Sequence, residues 1–302
     1  MRPVVPILLA IAIAGSSACS IKKMAANTIA STLADTGTTF TGDEDVQLVG
    51  DALPFALKLY ESTLASTPNH QALLLATCSA FTQYAYAYIE TAAEALPSSR
   101  RAEIQAARDR ALRLYLRARG YCFRGLDARF GAKTSAALIQ DPQSVVARAR
   151  AADVPLLYWT AASWGLAISL GIDQPELAVD LPNVRVLADR ALALDEKWSK
   201  GAIHELFITL DSLPEALGGN PARAKEHFDK AVELQQGLSP GPYVSLATGV
   251  VVSSQDRAEF ERLLKTALSI DPEKDPPNRL ITLVTQQRAR VLLDRIDERF
   301  SN

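Results

Sequence analysis

The 302-residue chain carries 32 basic and 34 acidic side chains, a net charge of −2, and so has no basic excess that could hold a phosphate backbone. This balance argues against nucleic acid as a partner. The chain is 48% hydrophobic but only 7% aromatic, and its apolar share is dominated by Ala and Leu, which favour helix. We therefore expect an all-α protein.

The first 18 residues have the pattern of an export signal. Arg2 precedes an uncharged apolar run, and small residues follow before Cys19. Ser16 to Ala18 would suit an ordinary signal peptidase, whereas a cysteine directly after alanine suits lipoprotein processing, and both place the cleavage after Ala18. A lipobox normally has Leu where Ser16 stands, yet we favour lipidation of Cys19. A transmembrane anchor is disfavoured, because the run of about 12 to 15 residues is shorter than the roughly 20 that span a bilayer.

Residues 19–42 are predicted to form a tether, and residues 43–302 a single all-α domain. The tether is rich in small and polar residues and only weakly periodic. Beyond it the apolar periodicity is helical to the end of the chain, with interruptions that contain Pro, Gly or capping residues, as expected between helices. The interruptions lie at residues 67–69, 96–98, 141–142, 173–175, 218–221, 239–242 and 271–277.

Three predicted helix ends share a pattern of Ala followed by alternating hydrophobic residues. They are RALALDEKW (190–198), KAVELQQGL (230–238) and TALSIDPEK (266–274), and their alanines are 40 and 36 residues apart. This spacing is close to the 34 residues of a tetratricopeptide repeat. We predict stacked helical hairpins of degenerate tetratricopeptide repeats that form an α-solenoid-like bundle, although the Trp-Leu-Gly-Tyr signature of the first repeat helix is missing.

Two segments are unusually aromatic or apolar. CSAFTQYAYAYIE (78–90) places Phe81, Tyr84 and Tyr88 on one helix face. VPLLYWTAASWGLAISLGI (154–172) has no charge in 19 residues, so it must be covered on all sides. Three interpretations of it stay open: a membrane span, which its proline and hydroxyl side chains disfavour; an ordinary buried core helix; or a helix whose rings line an apolar cavity, with OH and NH groups that orient a guest.

The sequence contains no recognisable constellation for catalysis or metal binding. His204-Glu205 lacks the second histidine of the HExxH zinc motif, and the three histidines show no ligand spacing. GLDARFGAKT (125–134) differs from a phosphate loop in the spacing of its glycines and has no preceding strand. We therefore expect neither enzyme activity nor a cofactor or metal.

Besides Cys19, the chain has two cysteines, Cys78 and Cys122. Both lie in apolar segments with a helical pattern. Buried free thiols are the preferred interpretation, and a disulfide in an oxidising compartment is the alternative, because sequence alone cannot test the distance that a disulfide requires.

Four blocks of the chain resemble the T component family associated with TRAP transporters (tripartite, ATP-independent periplasmic transporters), whose members are periplasmic lipoproteins with tetratricopeptide repeats. The blocks are GDEDVQLVGDALPFALKLYESTLASTPNHQALLL (42–75), FTQYAYAYIE (81–90), RALRLYLRARGYCFRGLD (110–127) and LLYWTAASWGLAISL (156–170). The resemblance therefore extends over nearly all of the chain that would remain after cleavage.

This resemblance implies an assembly of three copies, an apolar channel through each subunit, and docking to the solute-binding P component of the transporter. It also implies a hydrophobic or amphipathic small-molecule ligand, which adds to the cavity interpretation of the two aromatic segments. We thus expect a non-catalytic lipoprotein that binds or relays such a ligand. The expected ligand-binding residues are Phe81, Tyr84, Tyr88, Tyr121, Tyr158, Trp159 and Trp164.

A function of a different class stays open beside this one. The hairpins could instead form a scaffold that presents a concave face to partner proteins, with the aromatic side chains serving only as core. Either function would place the protein in the periplasm, anchored through Cys19. Because Ser20 replaces the aspartate that commonly retains lipoproteins at the inner membrane, the outer membrane is favoured.

Overall fold

The computed structural model describes residues 24–35 and 39–300, and every regular element in these ranges is helical. The predicted all-α class is confirmed. The export signal at 1–18 and the lipidation site at Cys19 lie outside the described residues, as does part of the tether. The helices are α1 (24–34), α2 (Val46–Ser66), α3 (Gln71–Tyr84), α4 (Thr91–Glu94), α5 (Arg101–Phe130), α6 (Thr134–Gln140), α7 (Pro142–Val146), α8 (Val154–Leu170), α9 (Pro175–Ala178), α10 (Leu181–Leu194), α11 (Ala202–Asp211), α12 (Pro221–Leu234), α13 (Gly241–Leu246), α14 (Arg257–Ser269) and α15 (Arg279–Asp294).

Helix boundaries follow local capping chemistry. The carboxylates of Asp45 and Asp256 accept hydrogen bonds from backbone N–H groups in the first turns of α2 and α14, and the side chain of Asn220 does the same for α12. Prolines stand at the first position of several helices, where a missing N–H costs nothing. Each predicted interruption lies between two helices or at the first residues of the next one.

The helices pack largely in chain order, and the last one returns to the first part of the chain. α3 packs on α5, α5 on α8, α8 on α10, α11 on α12, and α14 on α15, while α15 also contacts α2 and α4. At the closure, Leu280 N–H donates to Thr41 O at 2.9 Å and the Arg279 guanidinium donates to Gly42 O at 3.3 Å. The array therefore forms a closed ring of helices. The assignment of its helix pairs to tetratricopeptide repeats stays a prediction, and so does the single-domain boundary.

Most of the uncharged segment 154–172 forms α8, which is one of the helices of the ring. α8 lies against α3, α5 and α10, and Leu157, Ala161, Trp164 and Ala167 are fully buried on it. None of the described helices is both long and apolar enough to cross a bilayer. α8 is thus covered on most of its circumference by other helices, which explains why it carries no charge.

Cys78 of α3 and Cys122 of α5 form a disulfide with Cα atoms 5.4 Å apart. The preference for free thiols was therefore wrong. α3 packs along the length of α5, and this packing brings the two Cα atoms to a separation that a disulfide can bridge. Their separation of 44 positions in the sequence gave no indication of that distance.

Candidate ligand-binding cavity

The ring of helices surrounds a cavity of about 1580 Å³ that is partly open to solvent and larger than the roughly 300 to 1,000 Å³ of a usual ligand pocket. Faces of α2, α3, α8, α11, α13 and α15 form its wall. Along α8 the wall extends from Tyr158 to Leu170, which at 1.5 Å per residue is about 18 Å. The cavity is therefore long enough for an extended apolar molecule.

Aromatic side chains form one part of the wall. The ring centroid of Tyr158 lies 5.1 Å from that of Trp159 on the same helix and 4.7 Å from that of Trp198. Trp198 begins a short 3₁₀ turn in which Ser199 and Lys200 adopt left-handed φ values of 48° and 55°. Such strained backbone persists where the surrounding structure fixes it, and here it holds an indole against the cavity.

Three of the residues predicted to bind ligand line the cavity: Tyr88, Tyr158 and Trp159. Tyr88 follows α3, in a π-helical segment at Ala85–Glu90, and its hydroxyl donates to Val46 O at 3.0 Å. Burial raises the pKa of Tyr88 to about 12, so its hydroxyl stays protonated. Tyr88 comes from the segment 78–90, and Tyr158 and Trp159 come from the segment 154–172. The ring of helices therefore brings the two aromatic segments together at one cavity.

The other four predicted residues pack between helices outside the cavity wall. Phe81 stacks on Tyr121 with centroids 5.8 Å apart, and Tyr84 stacks on Tyr88 at the same separation. Trp164 is fully buried and packs edge-to-face with Phe123, with ring centroids 5.1 Å apart. The structure thus separates the aromatic residues into cavity-lining and packing groups that their sequence pattern did not distinguish.

A polar network crosses the wall between α15 and the segment after α3. The Arg288 guanidinium donates to both carboxylate oxygens of Glu94, at 2.7 and 2.9 Å, and to the hydroxyl of Tyr86 at 2.9 Å. Burial would lower the pKa of Arg288, but Tyr86 and Glu94 outweigh it and raise that pKa. Beside this network, the Tyr115 hydroxyl donates to Glu90 at 2.5 Å. The guanidinium therefore stays charged.

Glu205 of α11 places a carboxyl group in the same wall. Burial raises its pKa to about 7, against a smaller opposite effect of the hydrogen bond from Gln235 Nε2 at 3.4 Å. A Cβ at Gly241 would lie 2.2 Å from Oε1 of Glu205, so only glycine leaves room for the carboxyl there. The group can exchange a proton near neutral pH.

Comparison with known proteins identifies the family. A family model described as the TRAP transporter T-component matches residues 42–300. The chain belongs to the TRAP transporter T-component family. An uncharacterized protein of Treponema pallidum (strain Nichols) is 28% identical to it over 300 residues, which cover 93% of each chain. The resemblance found in the sequence is confirmed.

Membership in the T-component family indicates an accessory role in transport by a TRAP transporter. Members of this family are accessory components of transporters, and the family is not a known enzyme family. Within the ranges that the structure describes, no group of His, Cys, Asp and Glu side chains could hold a metal ion.

In this T component, two of the histidines lie together behind the cavity wall. His204 Nδ1 lies 2.8 Å from His227 Nδ1, so one ring donates to the other, and His204 Nε2 lies 3.2 Å from Glu196. His227 stacks on Phe207 with centroids 4.7 Å apart. His204 is thus a satisfied core histidine.

Sequence reasoning missed Glu205, Trp198 and Arg288 as residues of the cavity. Glu205 was considered only beside His204 in a zinc motif. One signal was available, because Glu205 is an acidic residue between apolar neighbours in AIHELFITLD. Arg288 carried no local signal, since it reaches the cavity only through the closure of the ring, and Trp198 carried none because its place in the wall depends on packing against Tyr158 of α8.

Proposed function

We propose that this T component binds a hydrophobic or amphipathic small molecule in its central cavity and relays it to the solute-binding P component of a TRAP transporter. The observation that carries this proposal is the large, partly aromatic cavity inside the helical ring. Burial of apolar ligand surface contributes about 25 cal/mol per Å², so a ligand with 300 Å² of buried apolar surface would gain about 7 kcal/mol before the costs of binding.

We further propose that the protein acts in the periplasm as a homotrimer, anchored through lipidated Cys19 and held preferentially at the outer membrane. The export pattern before Cys19 and the family resemblance support this arrangement. A tether of some twenty residues would let the ring reach a partner away from the membrane surface.

The test is ligand binding by the purified protein. We expect native mass spectrometry and lipid extraction to show a co-purifying apolar molecule, and the neutral probe N-phenyl-1-naphthylamine to bind with a rise in fluorescence. Thr209 faces the cavity from α11, so Thr209→Trp should place an indole in the cavity and weaken probe binding. Ser269→Trp, at an exposed position on α14, is the control and should bind normally. Probe binding that Thr209→Trp leaves unchanged would place the ligand elsewhere.

A specific surface favours the second candidate function, a protein–protein scaffold. Leu48, Phe55 and Leu59 form an apolar stripe on α2 and are 58%, 74% and 38% exposed, and apolar patches of this kind mark interaction sites. Phe55→Lys should preserve folding because most of the side chain is exposed. Loss of P-component binding in Phe55→Lys, together with no probe binding to any variant, would support the scaffold and reject the ligand carrier.

A further inference from the structure

Glu205 places an acidic side chain in the cavity wall without a cationic partner. The wall also contains five cationic side chains, Arg108, Lys200, Arg288, Arg295 and Arg299. Lys200 donates to Asp275 at 2.8 Å, Arg288 is held by Glu94 and Arg295 by Glu298, and no ion pair joins any of the five to Glu205. Among the described residues, Glu205 has one hydrogen-bond partner, Gln235. A carboxylate that faces an enclosed space without a counter-ion is expensive, and a cation supplied by a ligand would remove that cost.

Gln235 provides a second, independent indication at the same place. Its side chain lines the cavity and is 8% exposed, and its Nε2 donates to Glu205. Its Oε1 is buried without any hydrogen-bond partner. Buried polar atoms are nearly always satisfied in folded proteins. The free acceptor next to Glu205 therefore indicates that a donor belongs there.

Aromatic rings line the same cavity as the two acceptors. Burial is the main cause that raises the pKa of Tyr158, and the charge of Glu205 is the second cause. The same charge contributes to the raised pKa of Tyr86. Both tyrosine rings therefore lie within electrostatic reach of the carboxylate. Trp159 and Trp198 flank Tyr158. Faces of Trp and Tyr attract cations, most strongly where water is excluded.

We infer that Glu205, Gln235 and the rings around Tyr158 form a subsite for the protonated amine of an amphipathic ligand. The inference rests on the proposed function, since it names the chemical class of the ligand that the cavity takes. An ammonium group would donate one N–H to Glu205 and one to Gln235 Oε1, and its charge would lie against the aromatic faces. The apolar part of the ligand would extend along the leucines of α8 and α11, Leu166, Leu206 and Leu210.

The experiment compares three probes with the same alkyl chain: dodecylamine, 1-dodecanol and dodecanoic acid. Binding to the full chain is followed at pH 8 and below micellar concentrations by quenching of tryptophan fluorescence, since Trp159 and Trp198 line the cavity. We expect the amine to bind at least about tenfold more tightly than the alcohol, as a charge-assisted hydrogen bond and a cation–π contact allow. The acid should bind most weakly, because its carboxylate would meet that of Glu205.

Two variants assign the preference to the subsite. Glu205→Gln keeps the shape and removes the charge, so the amine should fall to the affinity that the alcohol has for the same variant. Gln235→Leu removes the free acceptor, keeps Glu205, and should reduce the preference in part. Glu176→Gln, on exposed α9, is the matched control and should keep the full preference.

The outcomes separate this inference from the proposed function. Equal binding of amine and alcohol, tighter binding of the acid, or an amine preference that persists in Glu205→Gln would overturn the amine subsite and leave the apolar cavity in place. Absence of binding of all three probes would overturn both. Should Glu205→Gln fail to fold, Gln235→Leu alone decides, because an unchanged preference there would contradict the assignment.

Discussion

Arg288 and Glu94 form a bidentate ion pair across 194 residues of sequence, with N–O distances of 2.7 and 2.9 Å. The pair joins α15 to α4, and Arg295 reinforces it by donating to the carbonyl oxygens of Glu94 and Leu96. The last helix is thereby fixed to the first third of the chain. This closure is what converts a stack of helices into a ring with an interior.

Replacement of Arg288 should open the closure. Arg288→Met keeps much of the side-chain volume but leaves the Glu94 carboxylate without its partner in a partly buried site, and the free energy of unfolding should fall by about 2 to 3 kcal/mol. Urea denaturation measures this change. Arg290→Met, at an exposed position on the same helix, should change it by less than about 0.5 kcal/mol. Equal effects of the two variants would show that the pair is not what holds α15.

The disulfide should stabilise the ring without shaping the cavity. Cys78–Cys122 closes a loop of 44 residues, for which the chain-entropy model gives about 4 kcal/mol. Neither cysteine lies in the cavity wall. The double variant Cys78→Ala, Cys122→Ala should therefore unfold at lower urea and still bind the neutral probe with the affinity of the wild type.

A loss of probe affinity in the folded double variant would contradict this separation of stability from binding. Treatment of the wild type with a reductant should lower its stability by a similar amount. The single variant Ser62→Ala, at an exposed position on α2 outside the cavity wall, is a suitable control, since it leaves the disulfide intact.

The helix boundaries could be predicted from the sequence because they depend on local chemistry. Pro, Gly and capping residues stop and start helices regardless of what packs against them. The composition of α8 likewise predicted a helix that is covered by neighbours. Helix boundaries and the burial of α8 depend on short-range sequence features, so they could be predicted from each segment alone.

The disulfide and most of the cavity could not be predicted, because both depend on contacts between distant segments. Arg288 contacts Tyr86 across 202 residues of sequence. No local sequence pattern indicates that α15, the helix after α14, packs against α4. For the same reason, Trp159 and Trp164 looked equivalent in sequence. They lie five positions apart, on different sides of α8, and only the tertiary packing decides which side faces the cavity.

Trp159 and Trp164 should therefore respond differently to truncation. Trp159 lines the cavity, so Trp159→Ala should weaken binding of N-phenyl-1-naphthylamine at least about fivefold through lost contact area. Trp164 is fully buried against Phe123, so Trp164→Ala should cost about 3 to 5 kcal/mol of stability. Its probe affinity, measured where the variant is still folded, should change by less than about twofold. The opposite assignment of the two effects would contradict the position of the wall.

The histidine pair should make the protein sensitive to acid. Burial is the main cause that lowers the pKa of both His204 and His227, so the unfolded chain takes up protons first as the pH falls below about 6.5 and stability is lost. His227→Phe keeps the stacking on Phe207 and removes one titrating ring. It should lose less stability than the wild type between pH 7 and pH 5.

Urea denaturation at both pH values measures that difference. His70→Asn is the matched control, because it keeps a side-chain acceptor at the N-terminus of α3 and lies outside the pair. The control should follow the wild type. Parallel loss of stability in wild type and His227→Phe would show that the pair does not carry the acid sensitivity.

Glu205 should destabilise the empty protein at alkaline pH, in the direction opposite to the histidines. Its pKa is raised from 4.5 to about 7 by burial, so folding is favoured below pH 4.5, where the carboxyl is protonated in both states, and weakens as the pH rises through 7. Glu205→Gln lacks this charge and should exceed the wild type in stability at pH 8 by up to about 3 kcal/mol, reduced to the extent that water in the cavity solvates the carboxylate.

At pH 4 the two proteins should differ little in urea denaturation, and Glu176→Gln should match the wild type at both pH values. A constant difference between Glu205→Gln and the wild type from pH 4 to pH 8 would show that the carboxyl is not desolvated in the folded state. Because a bound ammonium group compensates the charge, dodecylamine at pH 8 should stabilise the wild type more than Glu205→Gln and so narrow the gap between them.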